Sequence, residues 1–334
     1  MTNQSEFQNL DSKTFLGIDG GQSHTEAIIA GEKGNVLGRG TGGASNHAEI
    51  PGGRERLQNA IVDSVGAALK NANLPDLSEM IFASAHCGMT GGAIYKREII
   101  GAIVKAEKLT VGHDAPTALF GATAGKPGIV VIAGTGAVVF GVNETGETAR
   151  AGGLGYLFSD EGSGFWLAAQ MIRLAVKEHD GLVEDYGVLK LVLDFFGRGK
   201  IREITDDFYN GKISRREVAA LAECAHLAAA KDNQAIREQI FYGVGVLTDS
   251  VESVAKKLKF QSNFPVATIG GMFRAPLMNE YFKSSLAKKV PLAEFVKPCF
   301  GPAVGALLLS YKQAEIKITE ELLSNLGKSP NGNE

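Results

Sequence analysis

Three carboxylates in this chain lie beside glycine turns. Asp19 leads into Gly20-Gly21-Gln22-Ser23, and Asp160 opens Asp160-Glu161-Gly162-Ser163-Gly164. Between them, Asp114 follows Leu109-Thr110-Val111-Gly112-His113 and precedes Ala115-Pro116. The apolar run at 129–133 ends in a further turn, Gly134-Thr135-Gly136. Glycine lets the backbone come close to a bound group, so its N–H donors can cradle an anion. A carboxylate at the start of such a turn can hold a divalent cation through water. Asp19 with Gly21 and Ser23 therefore reads as a grip for phosphate oxygens and magnesium, with Gly134, Thr135 and Gly136 as a second phosphate turn. Taken singly, each is equally a hairpin turn between two buried strands. Asp114 either caps a helix, with Pro116 in the first turn, or projects from a strand end, where open α/β sheets place their sites.

The elements around these residues narrow the chemistry. Residues 15–18 read as a strand, and so do residues 24–30 after the glycines. Dinucleotide-binding turns open a helix instead, and no Lys-Ser/Thr follows to make a phosphate loop of the NTPase type. Residues 35–40 read as a third strand, ending in the polar loop Ser45-Asn46-His47. A helical stripe spans 53–72, a strand 80–85, a second helix 94–107, and a strand running into a helix 109–119. That order predicts a mixed sheet with helices on its faces. The strand–turn–strand pattern then recurs at 129–142, so two similar lobes face one nucleotide. The glycine-rich stretch 152–164 reads as a mobile loop before a helix at 165–177, and 182–260 is almost wholly helical, most clearly Gln234–Leu258. After a strand at 265–269, Gly270-Gly271-Met272-Phe273-Arg274 could let an adenine ring lie against the backbone. An apolar helix at 302–311 crosses back to the first lobe.

Composition excludes several classes. The chain has 334 residues, 44% hydrophobic and 21% charged, with a net charge of −3. That balance gives no electrostatic reason to expect nucleic acid or an anionic membrane as partner. Cys87, Cys224 and Cys299 are odd in number and far apart, which suits a reducing cytoplasm and offers no metal or redox pair. The six histidines show no metal-ligand spacing. The first ten residues lack a signal-peptide core, and no apolar run reaches 18 residues.

Asp-Gly-Gly at 19–21, Ser-Asn-His at 45–47, Asp114, Gly-Thr-Gly at 134–136 and Asp-Glu-Gly-Ser at 160–163 stand in a specific order. From residue 15 to about 312 the chain resembles the BadF/BadG/BcrA/BcrD ATPase family, in particular its N-acetylglucosamine kinase branch, within the sugar kinase, heat-shock ATPase and actin superfamily. The resemblance implies an α/β fold of two RNase H-like (actin-like ATPase) lobes with ATP in the interlobe cleft. It implies a lobe at 14–127 joined by a C-terminal helix at 302–322, a second lobe at 128–301 with a helical insertion, a flexible segment at 1–13 and a disordered tail at 324–334. It further implies that Asp19 assists Mg2+ and that Gly21 and Ser23 form the first phosphate loop. Gly134, Thr135 and Gly136 form the second, Gly270, Gly271, Met272, Phe273 and Arg274 flank the adenosine, and 228–232 closes its other side. Asn46 and Asp160 match sugar-hydroxyl ligands, Asp114 the catalytic base and a sugar ligand, and Gly153, Leu154 and Gly155 the loop around an acetamido group.

The activity implied is ATP-dependent transfer of phosphate to the 6-hydroxyl of an amino sugar by a cytoplasmic homodimer. Ala137-Val138 and Leu154 depart from that branch, which often carries Ser-Asn and Trp there; glucosamine, N-acetylmuramic acid and neutral hexoses therefore stay open beside N-acetylglucosamine. The alternative within the family is a reductase-activating ATPase that couples ATP hydrolysis to electron transfer through a cluster shared between subunits. The three cysteines show no match to its paired positions. A non-catalytic sugar-responsive regulator is the third reading, and neither a helix-turn-helix segment nor a basic arm is present to support it.

Overall fold

The computed structural model describes residues 13–328 except 47, 49, 92 and 93, with the backbone alone at 94. The chain divides into two compact units, one running to Lys126 and resuming at Pro298, the other spanning Pro127–Lys297.

The first unit opens with β1 (Thr14–Gly20), β2 (Thr25–Gly31) and β3 (Val36–Gly42), an antiparallel meander. There follow α1 (Gly53–Asn71), β4 (Ile81–Phe82), β5 (Ser84–Met89), α2 (Ile94–Ile103), β6 (Lys105–Ala106), β7 (Leu109–His113) and α3 (Asp114–Ala122). The sheet order is β3-β2-β1-β5-β7, and β1, β5 and β7 run parallel. β4 and β6 form a separate two-stranded ladder.

The second unit repeats this plan. β8 (Gly128–Ala133), β9 (Ala137–Val142) and β10 (Thr148–Gly152) make a second antiparallel meander. Five helices come next: α4 (Gly164–His179), α5 (Val188–Phe196), α6 (Ile201–Tyr209), α7 (Arg215–Ala230) and α8 (Gln234–Leu258). β11 (Phe264–Ile269), a 3-10 turn at Gly271–Arg274, α9 (Pro276–Lys289) and β12 (Ala293–Val296) complete it. Its order is β10-β9-β8-β11-β12, with β8, β11 and β12 parallel. Two sheets of the same order and sense make this the doubled RNase H-like architecture that the resemblance implies. The stretch 182–260, read from the sequence as almost wholly helical, carries α5 to α8.

The chain then returns to the first unit through α10 (Pro302–Gln313) and α11 (Glu320–Leu326). β1 is covered on both faces, as its alternation dictates. Leu16 and Ile18 pack with Leu57, Ile61 and Val65 of α1, whereas Phe15 packs with Leu307, Leu308 and Tyr311 of α10. The buried Tyr311 hydroxyl donates to the Gly31 carbonyl at 2.6 Å. α10 lies so close that a Cβ at Gly17 of β1 would stand 2.4 Å from the Leu307 nitrogen. One at Gly305 of α10 would stand 1.8 Å from the Thr117 carbonyl oxygen of α3.

Several sequence expectations need correction. The helix predicted over 94–107 stops at Ile103, because Lys105 and Ala106 pair with β4. The strand predicted over 80–85 is two strands, and β5 continues to Met89. The single helix predicted at 302–322 is α10 and α11, with 314–319 between them. The expected disordered tail begins too early: Leu326 is buried on α11 beside Leu322. Residues 1–12 and 329–334 lie outside the described residues, as does His47 of the Ser-Asn-His motif. Among the described residues no helix is long and apolar enough to cross a membrane.

Candidate active site

In the first unit the parallel strands deliver the chemistry. Register pairs Gly20 with Met89 and Met89 with His113. The C-terminal ends of β1, β5 and β7 thus lie in one row, carrying Asp19, Thr90 and Asp114. Asp114 is the first residue of α3, and its N-cap is His113, which makes no side-chain cap bond. The Asp114 carboxylate instead accepts a 2.6 Å hydrogen bond at Oδ2 from the Thr90 hydroxyl. Of the two readings of Asp114, a helix cap or a group projecting from a strand end, the geometry selects the second.

Asp19 is held above the usual carboxylate range, at about 7. Burial is the main cause, then the nearby Asp114 and Glu26 carboxylates, with the Thr117 hydroxyl pulling the other way. The folded protein therefore holds this proton more tightly than the unfolded chain does. The stability this contributes is full below the ordinary value of 3.8 and is lost as pH rises through about 7. The metal-free wild-type protein should lose thermal stability between pH 5 and pH 8 relative to Asp19→Asn, measured in the presence of a chelator. Identical pH profiles for the two proteins would refute this assignment.

The turn after Asp19 is tight. The Gly21 N–H donates to the His24 carbonyl at 3.0 Å, and the Gly21 carbonyl accepts from the Ser45 N–H at 3.1 Å. A Cβ at Gly20 would strike the Met89 thioether and the Ser45 hydroxyl. Ser23 is exposed at the tip, where its hydroxyl can meet a ligand. Asn46, half-buried, follows the buried Ser45, and the Asn46 carbonyl is anchored by the Arg56 guanidinium at 2.8 Å.

The second unit gathers another set. The Gly134 N–H donates to the Gly136 carbonyl at 2.9 Å, and the Gly134 carbonyl accepts from the Gly164 N–H at 2.7 Å. The turn is thus tied to the start of α4. Gly270 leaves β11 with φ 112°, and a Cβ there would lie 2.2 Å from the Ala133 carbonyl oxygen. Only glycine fits, so the 270–274 turn lies directly against the 134–136 turn. The Met272 and Phe273 side chains belong to the core. This turn therefore offers a ligand mainly backbone, the open Gly271 and the exposed Arg274. Residues 228–232 end α7, where Arg237 donates to the Ala229 carbonyl at 2.8 Å and pairs with Asp232 at 2.7 Å.

Asp160 is buried in a left-handed conformation, φ 74°. Burial raises its proton affinity, and the nearby Ala137 N–H, the Arg215 guanidinium and the Gly155 N–H pull the other way. Asp160 thereby lies between the turn at Gly136 and the loop 153–155. Gly153 packs on Val138, Arg150 donates to the Gly152 and Gly153 carbonyls at 3.0 and 2.7 Å, and Leu154 is exposed.

The predicted residues thus form two groups: Asp19, Gly21, Ser23, Asn46 and Asp114 in one unit, and Gly134 to Gly136, Gly153 to Gly155, Asp160 and Gly270 to Arg274 in the other. The sequence reading missed Thr90, Thr117 and Arg150. A threonine just past a strand carries no motif, and only the pairing of β1, β5 and β7 reveals where it lies.

The profile of the BadF/BadG/BcrA/BcrD ATPase family matches residues 16–310. The chain belongs to this family. It is 26% identical over 310 residues to an N-acetylmuramic acid/N-acetylglucosamine kinase of Clostridium acetobutylicum, covering 91% of this chain and 100% of that one. It is 25% identical to an N-acetyl-D-glucosamine kinase of Dictyostelium discoideum, covering 90% and 98%. A candidate N-acetylglucosamine kinase of Chromobacterium violaceum, solved by crystallography, superposes with a TM-score of 0.70 at 27% identity, covering 89% and 98%.

Proposed function

We propose that this family member transfers the γ-phosphate of ATP to the 6-hydroxyl of an amino sugar, N-acetylglucosamine or a close relative. The observation that carries this reading is the Asp114 carboxylate, unspent on its own helix, in a chain that matches an amino-sugar kinase over 91% of its length. Asp114 takes the proton of the 6-hydroxyl as that oxygen bonds to the γ-phosphorus. The bond to the bridging oxygen breaks, giving ADP, the sugar 6-phosphate and a proton. Gly21 and Gly134 let the two turns approach the phosphate oxygens, and the Ser23 and Thr135 hydroxyls with the Thr135 and Gly136 N–H groups serve as donors. Asn46 and Asp160 hold ring hydroxyls, and Gly153 to Gly155 surround the substituent on the neighbouring carbon. Gly270 to Arg274 and residues 228–232 flank the adenosine.

Among the described residues, no group of three or more His, Cys, Asp or Glu side chains could hold a metal by itself. The donors fit Mg2+ arriving with the nucleotide, which needs one or two carboxylates besides phosphate and water. Asp19 would hold it, since the crowding by Asp114 and Glu26 that favours its proton also favours a cation. Bound there, Mg2+ would neutralise charge on the phosphates. We further propose, from the family resemblance, that the protein works in the cytoplasm as a homodimer.

The test is ATP consumption against N-acetylglucosamine, glucosamine, N-acetylmuramic acid, N-acetylmannosamine and glucose. Strong turnover with an amino sugar is expected. Turnover with none of them, beside slow sugar-independent hydrolysis, would overturn the reading and favour the reductase-activating ATPase.

A further inference from the structure

We infer that Thr90 is a positioning residue for phosphoryl transfer: its hydroxyl fixes which oxygen of Asp114 receives the proton of the acceptor. This rests on the kinase reading above. The Thr90 hydroxyl donates to Oδ2 of Asp114 at 2.6 Å. An oxygen that is already accepting from Thr90 is poorly placed to take a second proton. The incoming one goes to Oδ1, and the carboxylate plane is set by the bond at the other oxygen.

Thr90 is itself held in place. Its N–H donates to the Gly20 carbonyl at 2.8 Å, next to Asp19 on β1. Its carbonyl accepts from the Lys96 ammonium, and Lys96 is buried at 1% exposure. Burying a lysine is costly unless the ammonium is hydrogen-bonded, so this bond from a buried ammonium helps to hold the loop that carries Thr90. The other nearby hydroxyl, Thr117, donates to the main-chain carbonyl of Asp114 at 2.6 Å, so it anchors the backbone while Thr90 orients the side chain. One residue thereby ties the strand of Asp19 to the carboxylate of Asp114. A one-atom error in aim at such a base costs rate far more than binding.

The experiment compares wild type with T90V, T90S and T90A in the full chain. It measures kcat and KM for sugar and ATP, sugar affinity by calorimetry, and Tm. T90V should lower kcat at least tenfold while sugar affinity stays within about twofold and Tm is little changed. T90S, which keeps the hydroxyl, should stay within about threefold of wild type, and T90A should fall with T90V. The serine and alanine variants both lack the γ-methyl and differ in the hydroxyl, so their comparison decides the matter even where valine disturbs folding. Wild-type kcat in T90V or T90A, or equal losses in T90S and T90A, would overturn the inference. Failure of the kinase reading is distinct: wild type itself would phosphorylate none of the sugars.

Discussion

Asp114→Asn should lower sugar phosphorylation by about a hundredfold to ten-thousandfold while sugar and ATP still bind. The substitution keeps the size and planarity of the side chain. The amide oxygen can still accept from the Thr90 hydroxyl, so the end of β7 and the start of α3 should stay in place. What is lost is an oxygen that can take a proton. Losing a negative charge beside Asp19 also removes one cause of its raised proton affinity, so Asp19 should ionise more readily in the variant. Residual ATP hydrolysis without sugar should therefore persist. Steady-state kinetics with calorimetric binding separates the outcomes, and an unchanged kcat would remove Asp114 from the role of base.

Gly305→Ala should be the most damaging single methyl in the first unit. A Cβ at Gly305 would fall 1.8 Å from the Thr117 carbonyl oxygen and 2.4 Å from the Gly121 nitrogen, both backbone atoms of α3. Backbone cannot rotate away as a side chain can, so α3 and α10 must separate. The expected loss is about 3 kcal/mol or more in urea unfolding. Whatever remains folded should have a lower kcat, because α3 begins with Asp114. Gly66→Ala is the control: it lies within α1, where an added Cβ meets no atom within 4 Å, and should stabilise by about 0.5–1 kcal/mol. Equal stabilities of the Gly305→Ala protein and wild type would show that the two helices slide apart at no cost.

What the sequence revealed, and what it hid, follows from the range of the interactions involved. The hairpins around Gly20 and Gly134 are local, built from apolar runs broken by glycines, and they were legible, as was the period of Gln234–Leu258. β10 and β12 were not. β10 alternates between exposed and half-buried residues at a sheet edge, and β12 has only four residues, so neither shows an apolar run. Asp19 and Asp114 were visible because acidic residues beside strand-end turns are conspicuous. Thr90 was not, because its meaning arises from the register of three strands separated by helices. Asp160 was read through resemblance as a sugar ligand. Its burial near the Ala137 and Gly155 N–H groups, and its φ of 74°, come from a loop path that spacing alone does not encode.

The return of α10 to the first unit also imposes an order on biosynthesis. On the ribosome, Pro127–Lys297 emerges as one uninterrupted stretch and can collapse around its own core while translation continues. The strands bearing Asp19 and Asp114 are made earlier yet must wait. Phe15 and Gly17 have no cover on their face until Leu307 and Tyr311 have been synthesised. The half of the protein translated first is thus the last to mature, and during that interval the apolar Phe15 face of β1 stays uncovered.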